Sequence, residues 1–149
     1  IHFNDSLRYY TPQGKVVYGG GGIMPDIFVP LDTNGGTDYL YAMRSVGLIQ
    51  NFALNYVDNH REKLGTSYQN AIAFKNHFKI DNHLFNTLIQ YANKKGIKRN
   101  LVQIQESKNI IIRDLKAAIS RNLFNDFGYY TVINQYDKTV KKAIESFKK

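Results

Sequence analysis

The stretch that decides the fold is residues 100–125, which read NLVQIQESKNIIIRDLKAAISRNLFN. Asn100 is a good N-cap, because its side chain can accept hydrogen bonds from N–H groups that the first helical turn leaves unpaired. Apolar side chains then recur near helical spacing at Leu101, Ile104, Ile111, Leu115, Ile119 and Leu123. This pattern predicts a long amphipathic helix, roughly 100–125, with one buried face.

The residues around this helix are also helical in pattern, and no proline occurs from Thr37 to Lys149. Capping residues and glycines mark where the other helices begin and end. The first predicted helical stretch is 37–65, which Thr37 or Asp38 caps and Gly47 divides. A shorter helix is predicted over 71–78. The next is 82–95, with Asp81 as its N-cap and Gly96 as its stop, and one or two more are predicted within 132–147. About five helices with short loops predict a compact bundle that has its own core.

Residues 1–36 differ in composition, since they hold seven of the eleven glycines and all three prolines. Two runs rich in β-formers, 7–11 and 15–18, flank Pro12 and Gly14, which suit the second and fourth positions of a type I turn. A hairpin is therefore predicted. Further along, the pattern predicts a glycine loop at 19–22, a turn at 23–26, a short strand Ile27–Val29 and a linker from Pro30 to Gly36.

The predicted fold class is α+β, with a β segment over 1–36 and a helical domain over 37–149. Because a two-stranded hairpin is marginal alone in water, the β segment is expected to be the edge of a larger sheet. The first residue is Ile1, so we expect this chain to be a piece of a longer protein. An unpaired edge invites pairing with another copy, and a homodimer through residues 7–29 is a further expectation.

The net charge of +8 belongs to the helical part. Residues 1–36 carry two basic and three acidic side chains, which leaves 18 basic and nine acidic side chains, or +9, for the rest. The densest basic patch is Lys94–Arg99, and lysines also alternate with apolar residues at 138, 141, 142, 148 and 149. These clusters raise nucleic-acid binding as an alternative function. A solvated basic surface is the favoured interpretation, and we expect no specific nucleic-acid partner.

The sequence offers no candidate residues for a catalytic or a metal site. We therefore predict no catalytic residue, no metal and no cofactor. There are no cysteines, and His2, His60, His77 and His83 lack the spacing of a helical zinc pair. Ser107-Lys108 and Ser120 with Lys116 are assigned to a solvated helix face. The glycine run is not followed by a helix, as a phosphate loop would be, and Asp26 is a lone turn carboxylate.

Two motifs at a specific spacing suggest a family. Tyr9-Tyr10-Thr11-Pro12-Gln13-Gly14-Lys15, followed by Gly22-Ile23-Met24-Pro25-Asp26-Ile27, resembles a segment of the carboxy-terminal processing, or tail-specific, proteases. Lys15 stands where arginine is usual. The form of the glycine run, with Gly47-Leu48-Ile49 and Phe52–Asp58, is similar to a Gram-negative bacterial branch. Motif-level resemblance covers about residues 7–58.

The resemblance implies a parent that is a serine endopeptidase with a serine–lysine dyad and a PDZ domain. In that family both precede the Thr-Pro-x-Gly segment, so this chain would lack them and be inactive alone. Its implied partners are the protein or peptide substrates of the parent and the parent's own catalytic core. It implies a periplasmic or cell-envelope location, and we expect no transmembrane segment. The alternative is a non-enzymatic helical binding module with nucleic acid or an acidic protein as partner.

Overall fold

The computed structural model describes residues 5–19, 27–31 and 34–148. The chain divides into two compact units, 1–31 and 32–149, whereas the sequence placed the boundary between residues 36 and 37. Residues of the predicted linker lie with the helices. The Ser107 hydroxyl donates to the Gly35 carbonyl oxygen at 2.8 Å, and Gly35 is packed closely against Ile110.

The first unit contains the predicted hairpin. Strands β1 (Arg8–Tyr10) and β2 (Val16–Tyr18) are antiparallel, with Tyr9 opposite Val17, and a short 3-10 helix precedes them. The Gly14 N–H donates to the Thr11 carbonyl oxygen at 2.8 Å, which closes the predicted turn. Gly14 has a φ of 79°, a left-handed conformation that suits glycine and completes a three-residue hairpin loop.

The predicted strand Ile27–Val29 is wrong, because residues 27–31 form no strand. A strand needs a neighbour for its backbone N–H and C=O groups. In the part of the chain that the structure describes, β1 and β2 pair with each other and no third strand joins them. The predicted loop at 20–22 and turn at 23–26 lie outside the described residues.

The second unit is helical, as the sequence predicted. Its described residues form six helices rather than about five: α1 (Asp38–Ser45), α2 (Leu48–Ser67), α3 (Ala71–His77), α4 (Asn82–Lys94), α5 (Leu101–Ile133) and α6 (Lys138–Ser146). The predicted caps are confirmed. The side chains of Thr37, Asp81 and Asn100 each accept a hydrogen bond from the backbone N–H three residues later. Gly47 and Gly96 have positive φ, and Gly47 separates α1 from α2.

Helix α5 is interrupted near its predicted end. Phe124 and Asn125 leave the helical conformation, and Asn125 has a φ of 57°. The Ser120 hydroxyl then donates to the carbonyl oxygen of Gly128 at 2.9 Å. In a straight helix, Ser120 and Gly128 would lie about 12 Å apart along the axis. Because they are hydrogen-bonded to each other, the chain bends sharply between them. The predicted end at 125 is a kink, and a second segment reaches Ile133.

The core of this unit surrounds α5, which packs against α1, α2 and α3, while α4 packs against α2. The stripe predicted on α5 supplies Ile111, Leu115 and Ile119, all fully buried. Aromatic rings belong to the same core, in which Phe74 and Phe78 stack with centroids 4.4 Å apart. The apolar stripes of α1 to α5 therefore cover one another, which is what a bundle with its own core requires.

Candidate functional site

A groove of about 610 Å³ runs along α1, α2 and α5. Its lining combines guanidinium groups, carboxylates, side-chain amides and tyrosine rings with an apolar surface. The groove is lined by Arg44, Gln50, Asn51, Leu54, Arg113, Asp114, Ala118, Arg121, Asn122, Tyr129, Ile133, Tyr136 and Asp137. This groove was not predicted from the sequence.

Asp114 organises the arginines at one end of the groove. One of its oxygens accepts from Arg44 at 3.0 and 2.6 Å, and the other accepts from Arg113 at 2.9 and 2.8 Å. The Asp114 side chain is only 15% exposed, so these charge-assisted bonds are partly shielded from water. Each guanidinium has five N–H donors and gives two to Asp114, which leaves donors for another molecule.

Arg121 occupies the other end, beside the kink in α5. Its guanidinium lies 2.7 Å from an Asp126 carboxylate oxygen and 5.5 Å from the centre of the Tyr129 ring. The ion pair is exposed, and its contribution to stability is therefore small. Together the ion pair and the ring fix a cation at the point where the helix bends.

The carboxylates in the lining of the groove are Asp114 and Asp137. Asp114 accepts from two arginines, and Asp137 accepts from the backbone N–H groups of Thr139 and Val140. Arginine and amide donors beside apolar contacts such as Leu54 and Ile133 match a peptide segment that presents carbonyl or carboxylate oxygens.

The placement of two serines on a solvated helix face is wrong. Ser107 and Ser120 are fully buried. Besides its bond to Gly35, the Ser107 hydroxyl lies 2.6 Å from the Thr37 hydroxyl, while Ser120 donates to Gly128. Buried hydroxyls need hydrogen-bond partners. Both serine hydroxyls find these partners in other segments of the bundle rather than in a lysine side chain.

Lys116 also differs from the expectation of a solvated side chain. It is half-buried, and its ammonium donates to the carbonyl oxygens of Lys75 at 2.7 Å and Phe78 at 2.6 Å. Burial lowers its pKa from the ordinary value of 10.5, and the charges of Lys75 and Lys79 lower it further. This lysine satisfies carbonyl groups that the end of α3 leaves without helical partners.

The described histidines are exposed, and two of them, His60 and His83, line one cavity together with Asp81. The His60 ring stacks on Tyr56, 4.4 Å between centroids, and its Nδ1 lies 2.8 Å from the Tyr56 carbonyl oxygen. His77 and His83 are exposed, and His2 and Asp26 lie outside the described residues. Within 5–19, 27–31 and 34–148, no group of three or more histidine, aspartate or glutamate side chains could hold a metal ion.

The Lys94–Arg99 patch lies where α4 ends. Lys94 is the last residue of the helix, where a cation complements the helix dipole. The Lys95 ammonium lies 5.6 Å from the centre of the Tyr91 ring. These contacts account for two members of the patch, while Lys98 and Arg99 are exposed. None of the described helices is both long and apolar enough to cross a membrane.

Comparison with protein families identifies the helical unit. A model described as "Family of unknown function (DUF8443)" matches residues 39–125, more than half of the chain. The chain belongs to the DUF8443 family. No curated protein and no solved structure matches it. The DUF8443 match begins inside α1 and ends at the kink of α5, and it includes Arg44, Arg113 and Arg121 of the groove. The hairpin lies outside it.

Proposed function

We propose that this chain is the C-terminal part of a serine endopeptidase similar to the tail-specific proteases, with the DUF8443 helices as an accessory domain. The observation that carries the proposal is the hairpin. Its turn is closed by a hydrogen bond from the Gly14 N–H to the Thr11 carbonyl oxygen. Residues 11–14 are the Thr-Pro-x-Gly motif on which the resemblance rests. Two of its tyrosines, Tyr9 and Tyr10, remain 58% and 63% exposed. A hairpin with so much uncovered aromatic surface is typical of a segment that completes a larger sheet.

The residues after the hairpin support the same proposal. Phe28 is 63% exposed and Leu31 is 88% exposed, although the Ile27–Val29 pattern favours a strand. In the parent enzyme these residues pair with strands of the catalytic core and bury their side chains there. In the family that this chain resembles, the serine–lysine dyad of the core and the PDZ domain both precede the Thr-Pro-x-Gly segment, so we expect the 149-residue chain to be inactive by itself.

The helical domain positions, regulates or oligomerises the core, and its groove supplies a surface for that role. Arginine and amide donors fixed by Asp114 can hold a peptide segment, either of the core or of a protein substrate. We propose a periplasmic or cell-envelope location for the parent, a location that follows from the family resemblance alone.

The test begins with the reading frame that contains this chain. It should encode a PDZ domain and a serine–lysine core upstream of Ile1. The encoded protein should cleave unfolded proteins with apolar C-termini, its variant with the dyad serine replaced by alanine should not, and neither should the 149-residue chain. An initiation codon just before Ile1, or serine-dependent cleavage by this chain alone, would contradict the proposal.

The second candidate function is a non-enzymatic binding module, and α6 is the observation that favours it. This helix has no buried residue and carries several lysines. Nucleic-acid binding of micromolar affinity that survives physiological salt would support the module. Weak binding that vanishes with salt is what a solvating basic surface gives.

A further inference from the structure

Helix α6 has an apolar face that is mostly exposed among the described residues. Val140, Ala143, Ile144 and Phe147 follow the spacing that places side chains on one side of a helix. Only Val140 is half-buried; Ile144 is 53% exposed and Phe147 is 89% exposed. The helix packs closely against no other described element.

The opposite face and its flanks are basic. Residues 138–149 contain five lysines and one glutamate, and Glu145 is paired with Lys142 at 3.3 Å. At 100° per residue, Lys141 and Lys148 flank the apolar face on one side, while Lys138 and Lys142 lie across from it. The helix therefore presents an apolar strip with positive charge beside it.

The helix is fixed at its start rather than by packing. The Asp137 side chain accepts from the N–H groups of Thr139 at 2.7 Å and Val140 at 3.0 Å. Such a cap stabilises a helix by about 1 kcal/mol, which matters because short helices are marginal in water. The cap keeps the apolar strip and the lysines in register without a neighbouring helix.

We propose that α6 lies in the headgroup region of an anionic lipid bilayer, with Ile144 and Phe147 inserted and the lysines contacting lipid phosphates. Amphipathic helices that lie on membranes combine these two features. Charge complementarity favours an anionic bilayer over an acidic protein as the partner of α6, because every basic residue in 138–149 is a lysine. Lysine is depleted in protein interfaces, where arginine is enriched, whereas attraction to anionic lipids requires charge and no fixed geometry. The proposal is independent of the protease proposal.

The test is flotation of the 149-residue chain with vesicles of phosphatidylglycerol and phosphatidylcholine in equal parts, compared with vesicles of phosphatidylcholine alone. The chain should bind the anionic vesicles and not the neutral ones. Ile144→Ser with Phe147→Ser should weaken binding roughly tenfold or more. The matched control, Leu101→Ser with Val102→Ser, changes two exposed apolar residues on α5 and should bind normally.

The charge contribution has a matched control of its own. Replacing Lys141, Lys142 and Lys148 by Gln should weaken binding about a hundredfold, since each lysine near an anionic surface contributes about 1 kcal/mol. The same change at Lys94, Lys95 and Lys98 lowers the net charge equally and should have much less effect. The variants in residues 138–148 should keep the thermal midpoint of the unaltered chain, because α6 has no buried residue.

Insertion has a direct spectroscopic readout, because the chain contains no tryptophan. The emission of the Phe147→Trp variant should shift to shorter wavelength with anionic vesicles, and that of Leu101→Trp should not. The proposal is overturned if the chain does not bind the anionic vesicles, or if the two lysine triples lose affinity equally. It is also overturned if polyglutamate binds more tightly than the vesicles and depends on Ile144 and Phe147, which would assign the face to an acidic protein.

Discussion

The helical unit and the hairpin unit differ in how much of their apolar surface is covered. In the helical unit, Ile111, Leu115 and Ile119 are fully buried among neighbouring helices. In the hairpin unit, Tyr9, Tyr10 and Phe28 are each more than half exposed. Helices satisfy most backbone hydrogen bonds within one segment, whereas a strand depends on neighbours. The exposed hairpin fits the proposal that it belongs to a larger sheet, while the helical unit has a buried core of its own.

The largest effect is expected from Gly128→Ala, at the kink of α5. A Cβ at this position would lie 2.8 Å from the Phe124 Cβ and would collide with the Ser120 carbonyl oxygen. Since backbone cannot yield as a flexible side chain does, the free energy of unfolding should fall by about 3 kcal/mol. Urea denaturation followed by circular dichroism at the helical band measures this. The control is Gly65→Ala in α2, where a Cβ meets nothing within 4 Å; it should leave stability equal or up to about 1 kcal/mol higher.

The next effect concerns Lys116→Met. The substitution keeps an apolar stem but leaves the Lys75 and Phe78 carbonyl oxygens without their donor. The free energy of unfolding should therefore fall by about 2 kcal/mol. Lys63→Met, at an exposed position of α2, should change stability by less than about 0.5 kcal/mol. Equal losses in the two variants would show that the Lys116 hydrogen bonds do not hold α3 to α5.

Lys116 also predicts a pH dependence. Its folded pKa lies below the ordinary 10.5, first because of burial. At neutral pH the charge is present in both states, and its burial costs stability. As the pH rises through the folded pKa towards 10.5, the folded protein releases this proton first, and the cost disappears. The stability of the unaltered chain relative to Lys116→Met should therefore increase over this range. A constant or falling difference in urea midpoints would contradict the lowered pKa.

A smaller effect, of opposite sign, is expected at Tyr39. Its hydroxyl is buried and has no hydrogen-bond partner among the described residues. Removing it with Tyr39→Phe should raise the free energy of unfolding by about 1 kcal/mol, with Tyr41→Phe, an exposed tyrosine on the same helix, as the control. A loss of stability in Tyr39→Phe alone would mean that the hydroxyl is hydrogen-bonded after all.

Local signals made most of the fold predictable. Thr37, Asp81 and Asn100 identify helix starts because a cap depends on a few consecutive residues. The strand at Ile27–Val29 was predicted wrongly because a β pattern says nothing about whether a partner strand is present. The chain continues in helical conformation beyond the kink at Asn125, and the bend is evident from the φ of Asn125 and from the hydrogen bond between Ser120 and Gly128.

The groove could not be predicted because its members meet only in the folded bundle. Arg44 and Asp114 are 70 residues apart, and nothing in either segment indicates the other. Lys116 shows the same limitation, since its carbonyl partners lie about 40 residues earlier in the chain. The buried hydroxyls of Ser107 and Ser120 look like ordinary polar positions in the sequence, and their burial follows from how closely α5 is surrounded.

The most direct test of the difference between the two units is amide hydrogen exchange of the 149-residue chain at micromolar and millimolar concentration. Amides in the core of α5, such as those of Ile111 and Leu115, should exchange slowly and equally at both concentrations. Hairpin amides in β1 and β2 should exchange rapidly at micromolar concentration and gain protection at millimolar concentration, as copies pair through residues 7–29. Hairpin protection equal to that of α5 at micromolar concentration would contradict this, because the hairpin would then be a complete part of the same folded unit.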